Sequence, residues 1–387
     1  MAEAAFFAIL AAFAATYVGY PLLILLLAAR RRPRIPDGNP PSSEPVSVII
    51  CAHDEELAIG AKLSSVLAAA SEWQGAIEVI VADDGSGDRT ADIVEEMAQA
   101  SPAPLRLLRL PRGGKAAALA RACDAARGEL LVFTDADPVW DRQTLAALVA
   151  PFGSAEIGAV AGEVRTLPAR DRSGFGASDA LFRRYETAIR KAEDRLFGCV
   201  SADGGLFALR SALVEPVPPD VTDDFFLSTA AVARGYRIAF RPEAAVYEVS
   251  APDRRQHFRR RTRITVRGLT GLWRRRGLMN PLRTGWYGAG LIFHKLLRRI
   301  VPILLIPLWL LAGWLAIRSG GSIYELVFGL LTGAIVLGLL LMLLPVRLPR
   351  GFGLPLYALL HVAGLGVGTF LFLLGKRYTQ WTPQQRL

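Results

Sequence analysis

Glu129-Leu-Leu-Val-Phe-Thr-Asp-Ala-Asp-Pro138 is the stretch on which the fold turns. Its first six residues form an apolar run of strand length. Two carboxylates, Asp135 and Asp137, follow one residue apart, and Pro138 stops any continuation. Paired carboxylates at a strand end suit a hard divalent cation, Mg2+ or Mn2+, above all where a nucleotide's phosphates complete the shell. The plain alternative is an Asp-rich exit from a strand into a turn. The neighbouring segments have to decide between the two.

Working outward, short apolar runs alternate with amphipathic ones. Strands are expected over 46–51, 77–82 and 105–110 ahead of the run at 129–135, with helices over 57–70, 90–100 and 115–126 between them. Such alternation argues for an α/β domain with a mostly parallel sheet covered by helices on both faces. In sheets of this kind ligands collect at the carboxyl ends of the strands. The polar residues lie there: His53-Asp54-Glu55 after the first strand, Asp83-Asp84-Gly85-Ser86 after the second, Asp135-Ala136-Asp137 after the fourth.

Other segments admit two readings each. Asp83 to Asp88 reads locally as a turn with a helix cap, and functionally as carboxylates that meet a nucleotide's base or ribose. Arg112-Gly113-Gly114-Lys115 opens a helix, where glycine allows close backbone approach and a lysine can meet phosphate. Gly-x4-Gly-Lys-Ser/Thr spacing is absent, so it is not a P-loop. Ser201-Ala-Asp-Gly-Gly-Leu-Phe207 puts small residues before a strand, which suits close approach of a substrate. Thr222-Asp223-Asp224 precedes an apolar helical run, either as an acidic N-terminal cap or as a carboxylate base at a cleft. Ten arginines crowd residues 254–276, with Arg259, Arg263 and Arg267 on one helical face. Such a helix anchors at a membrane surface or supplies cations to a leaving diphosphate.

Composition places these segments beside a bilayer. The chain has 387 residues, 52% of them hydrophobic, and a net charge of +10. Its arginines cluster beside apolar runs, which favours membrane lipids and phosphates over nucleic acid. The three cysteines, Cys51, Cys123 and Cys199, are too dispersed for a metal site and read as small buried residues. Apolar runs long enough to span lie at 6–27, 300–317, 326–344 and 354–374. Arg30-Arg31-Arg32 follows the first run at once, which puts that end in the cytoplasm of a bacterial-type inner membrane and disfavours a cleaved signal peptide. Arg298, Arg299, Arg347 and Arg350 agree with this orientation, whereas Lys376 and Arg377 conflict with it. The expected organisation is a transmembrane helix at 1–29, a linker at 30–45 and a cytoplasmic catalytic domain at 46–253. Arg-rich interfacial helices at 254–295, three transmembrane helices at 296–375 and a tail at 376–387 follow.

Together the motifs resemble the membrane-bound family 2 glycosyltransferases, the group that includes cellulose, hyaluronan, chitin and poly-N-acetylglucosamine synthases. Val46-Ser-Val-Ile-Ile-Cys-Ala-His-Asp-Glu-Glu56 resembles the family's opening strand, and Ile80-Val-Ala-Asp-Asp-Gly-Ser86 its second. Gly113-Gly-Lys-Ala-Ala-Ala-Leu119, Thr134-Asp-Ala-Asp137 and Thr222-Asp-Asp224 resemble its Gly-Lys, Asp-x-Asp and Thr-Glu-Asp elements. The resemblance implies a GT-A nucleotide-sugar domain, about four transmembrane helices, and inverting transfer from a nucleotide sugar, UDP-linked by expectation. Asp135 and Asp137 would hold Mg2+ or Mn2+, and Asp224 would be the general base. His53, Glu55, Asp83, Asp84, Lys115 and Asp135 would bind the nucleotide sugar. Asp203, Gly204, Gly205 and Asp223 would face the acceptor, and Gln256, Arg259, Arg260 and Arg263 the diphosphate. Cys51, His53 and Asp54 depart from the family's usual Pro and Tyr-Asn. Processive members carry Gln-x-x-Arg-Trp; here Gln256-His-Phe-Arg259-Arg260 and Arg260-Arg-Thr-Arg263-Ile264 compete for that place, and neither has the Trp. Single-sugar transfer to a polyprenyl phosphate or other lipid-linked acceptor therefore stands beside extension of a cell-surface glycan. Four spans are few for a self-sufficient channel, which suggests a homo-oligomer or an exporter partner.

Overall fold

A computed structural model of the chain describes residues 1–31, 44–101, 103–167, 175–249, 254–320, 322–343 and 353–379. Most of the linker expected at 30–45, together with Arg347 and Arg350, lies outside the described residues.

Among the described residues one eight-stranded sheet forms the centre of the fold. Its strands are β1 (Val46–Ala52), β2 (Ile77–Asp84), β3 (Leu105–Leu110), β4 (Leu130–Asp135), β5 (Val139–Trp140), β6 (Ile157–Leu167), β7 (Phe207–Arg210) and β8 (Arg237–Val249). Their order is β3-β2-β1-β4-β7-β6-β8-β5. The first four strands in that order run parallel, as the alternation with helices requires. Every residue of β1 is buried, because both faces of the sheet are covered. Val46, Val48 and Ile50 pack with Leu63 and Val66 of the helix Ile59–Ser71. Ile49 and Cys51 face the other way, toward Leu119 and Ala122 of the helix Lys115–Ala125. The register sets Cys51 beside Asp135 and Ala52 beside Asp83, so three strand ends share one edge.

The second half of the sheet is mixed. β7 runs antiparallel to both β4 and β6, while β6 and β8 are parallel. The long strand β6 carries Gly158 and Gly162, which weaken a strand pattern in the sequence. Gly162 is there because backbone approaches closely: a Cβ would come within 2.5 Å of Leu206 Cδ2 and 2.8 Å of Ala244 O.

Among the described residues four helical runs are long and apolar enough to cross a membrane: Ala2–Ala29, Trp286–Ser319, Ser322–Leu340 and Gly353–Leu373. The first has a π-helical turn at Ala15–Gly19, just before Pro21. The second begins well before the apolar run read at 300–317, and its early turns pack on the domain that carries the sheet. Tyr287 donates to Val200 O at 2.8 Å and His294 contacts Glu193 at 2.7 Å. Tyr20 of the first run also donates to Glu193, at 2.6 Å. The fourth helix lies along the Arg-rich helix Arg254–Arg274, where a Cβ on Gly368 would strike Thr265. Near one end Tyr357 donates to Asp179 at 2.8 Å, and just past the other Arg377 lies 3.9 Å from Asp220. Both ends thus touch the domain that carries the sheet.

Candidate active site

The site grows from the loops that follow β1, β2 and β4. After β1, Asp54 takes φ +54°, a conformation that Asp tolerates better than most residues. That turn aims its carboxylate at Gly87 N, 2.8 Å away, while Ser86 Oγ accepts from Asp54 N at 3.0 Å. Glu55 N donates to Thr90 Oγ1 at 2.8 Å. The loops after β1 and β2 are therefore laced together. His53 is buried against Asp54, 3.3 Å away.

Asp83 and Asp84 serve this framework. Asp83 accepts from the backbone and hydroxyl of Ser86 and closes its own turn. Asp84, 1% exposed, accepts from Gly113 N at 2.7 Å, from Gly114 N at 2.9 Å and from Arg112. It shapes the glycine loop that delivers Lys115 rather than facing open space. Gly114 needs its φ of +87° to start the helix there.

Lys115 joins two carboxylates. Its ammonium lies 2.7 Å from Asp135 Oδ1 and 2.9 Å from Asp223 Oδ2. Burial works against the charged amine, but the two carboxylates outweigh it and hold its pKa well above the lysine range. Burial likewise raises Asp223, yet the Lys115 charge and hydrogen bond pull it below the usual carboxylate value. Asp223, expected at the acceptor, is thus paired with Lys115.

Asp224 differs from its neighbour. Thr222 stands at the cap and the helix Asp223–Ala233 begins. Asp224 Oδ1 accepts only from Phe225 N, at 2.7 Å, among the described hydrogen bonds. Burial, then the charges of Asp223 and Asp203, push its pKa up to about 6. The turn Asp203-Gly204-Gly205-Leu206 comes between the two sides. A Cβ on Gly204 would lie 3.6 Å from Asp135 Oδ2 and 3.7 Å from Asp224 Oδ2. Glycine there keeps the space between these two carboxylates open.

Beyond Asp224 opens a cavity of about 270 Å³ lined by Asp203, Gln256, Arg260, Lys295 and Arg299 among others. Arg190 pairs with Asp203 at 3.6 Å, and Arg183 with Glu248 and Asp179. Arg183 and Arg190 outweigh the effect of burial on Asp203 and keep it ionised. Of the four residues expected at the diphosphate, Gln256 and Arg260 reach this cavity, Arg259 is exposed and Arg263 is not part of its wall. Sequence reading missed Arg183, Glu186, Arg190 and Lys295. The first three lie on the helix Phe175–Leu196, and a run of ion pairs on a helix reads as a solvated face. Among the described residues no cluster of three His, Cys, Asp or Glu side chains could hold a metal unaided. A cation at Asp135 and Asp137 would need its remaining ligands from a bound diphosphate.

The profile described as glycosyltransferase like family 2 matches residues 41–266, which hold every strand above. The chain belongs to this family. The poly-β-1,6-N-acetyl-D-glucosamine synthase of Staphylococcus aureus is 29% identical over 216 residues, 54% of this chain and 51% of that protein. An N-acetylglucosaminyltransferase of Mesorhizobium japonicum is 28% identical over 236 residues, 55% of this chain and 54% of that protein. This family 2 chain spans about half the length of these curated relatives. The mannosyltransferase of Pyrobaculum calidifontis, solved with GDP-mannose and Mn2+, superposes with a TM-score of 0.68 at 24% identity. The match covers 97% of this chain and all of that one. The GT-A fold and the helices around it are thus shared with a solved family architecture.

Proposed function

We propose that this family 2 enzyme moves a sugar from a nucleoside-diphosphate sugar to an acceptor hydroxyl in cell-surface glycan synthesis, with inversion. The reading rests above all on Gly204, which separates the Asp135 carboxylate from that of Asp224 with only a small gap. The acceptor oxygen attacks the anomeric carbon from the Asp224 side as the bond to the diphosphate breaks. Asp224 takes the acceptor's proton, for which a carboxyl near pKa 6 is well poised. Lys115 stands beside the leaving diphosphate. Asp135 and Asp137 would hold a divalent cation with the donor phosphates, and it would neutralise charge on the departing group. His53 and Glu55 line the loop that would meet the base. The four apolar helices support a bacterial-type inner membrane with the catalytic domain cytoplasmic.

A second reading, transfer of one sugar to a lipid-linked phosphate, is favoured by the cavity's charge. Arg261, Lys295 and Arg299 line it, and among the described residues none forms an ion pair with a carboxylate. An acceptor phosphate at the junction with the membrane helices would meet all three. A labelled panel of UDP- and GDP-sugars, with Mg2+ or Mn2+ and membrane lipids, tests both. Release of nucleoside diphosphate supports sugar transfer. A one-sugar, lipid-extractable product supports the second reading and a ladder on a gel the first. No turnover of any donor contradicts both.

A further inference from the structure

On the side of Asp135-Ala136-Asp137 away from Lys115, the domain carries a second lysine. Lys62 lies in the first turn of the helix Ile59–Ser71 and is 0% exposed. Its ammonium donates to Thr134 Oγ1 at 2.6 Å and to Pro138 O at 2.7 Å, and it lies 5.1 Å from the Trp140 ring. Among the described residues no carboxylate is in contact with it; Asp137 and Asp135 act on it only through space. Burial lowers its pKa to about 7.

An ammonium is a costly group to bury without a counterion. A methionine would fill the same path between the helix and the sheet at far less cost. What the lysine supplies is a pair of hydrogen bonds that bracket the carboxylate segment, one immediately before Asp135 and one immediately after Asp137. The network reaches further. Thr134 Oγ1 donates to Gly205 O at 2.8 Å and accepts from Trp140 Nε1 at 3.3 Å. One hydroxyl therefore joins Lys62, the exit of β4 and the turn that holds Gly204.

We propose that Lys62 is a positioning residue for the donor: its buried ammonium pins residues 134–138 so that both carboxylates face the diphosphate and its cation. This rests on the reading of Asp135 and Asp137 given above. A lysine that only stabilised the fold would affect all ligands alike, whereas a positioning lysine affects those that engage the two carboxylates.

The test compares Lys62→Met, Thr134→Val and the double variant in the full-length chain. Calorimetry follows binding of Mn2+ with the nucleoside diphosphate that the donor panel releases, and of the matching nucleoside monophosphate without metal. Thermal melting checks folding. The expected result is a loss of roughly 10–100-fold in affinity for the Mn2+–diphosphate in each single variant, as for other groups that orient metal ligands. Affinity for the monophosphate stays at the wild-type value. The double variant is little worse than the worse single one, because both act in one network. Wild-type affinity in Lys62→Met, or an equal loss for both ligands, overturns the proposal. If Lys62→Met gives no cooperative melt, Thr134→Val decides, and wild-type affinity there overturns it. A wild-type chain that binds no nucleoside diphosphate with Mn2+ sinks the donor reading itself and this inference with it.

Discussion

The two sides of the active site are made differently. The donor side comes from strand ends and tight loops, each within a few residues of a β-strand: Asp84 and the glycine loop, Lys115, Asp135 and Asp137. Its charges are fixed by short contacts, such as the 2.7 Å and 2.9 Å bonds of Lys115. The proposed acceptor side is gathered from distant parts of the chain. Arg190, Asp203, Arg260 and Arg299 come from helices, a turn and a membrane-apposed segment, and three of its cations have no carboxylate partner among the described residues. A nucleoside diphosphate presents the same charge to every such enzyme, so a rigid donor cradle suffices. An acceptor varies, and a cavity at the junction with the apolar helices lets it vary without disturbing the sheet.

The largest expected effect tests the boundary between these sides. Asp224→Asn should reduce transfer by about 10²–10⁴-fold, the usual worth of a general base, while nucleoside-diphosphate affinity by calorimetry stays unchanged. Next comes the donor hinge. Lys115→Met leaves Asp135 and Asp223 facing each other without their cation. It should cost about 3 kcal/mol of stability in denaturant unfolding, the low end for a broken buried pair because the Asp135 side chain is 40% exposed. Donor KM should rise with it. Asp224 also sets a pH dependence. Only its carboxylate accepts a proton, so with a pKa of about 6 the rate should be half-maximal near pH 6, fall tenfold per unit below and level off above. A smaller effect divides the two sides. Lys295→Met should raise acceptor KM by about tenfold, one charge-assisted contact, and leave donor KM alone; a shift in donor KM instead would erase the distinction. The smallest is Arg259→Gln. Arg259 is exposed and outside the cavity wall, so stability should stay within about 0.5 kcal/mol and kinetics at the wild-type value.

The donor half was legible because each of its motifs is local. Asp135-Ala136-Asp137 follows its strand directly, and Lys115 follows its glycines, so spacing alone implied a common edge. The parallel order of the first four strands followed from the same alternation. Asp84 shows the limit of such reading: position put it at the edge, but only the fold reveals that backbone amides and Arg112 consume its carboxylate. Strand β6 was hidden because Gly158 and Gly162 dilute the pattern where neighbours crowd in. Arg190 and Lys295 were invisible as site residues because tertiary packing alone brings them to Asp203 and Asp224. Lys62 was lost inside a helix whose other inward residues are apolar, where one lysine reads as a surface position.

The central claim is that donor and base sit on opposite sides of Gly204 and act independently until the sugar moves. The most direct measurement is a paired assay on Asp224→Asn, scoring nucleoside-diphosphate binding with Mn2+ and sugar transfer from the same preparation. The account predicts wild-type binding with transfer reduced at least about a hundredfold. Wild-type transfer, or binding lost in step with transfer, would contradict it.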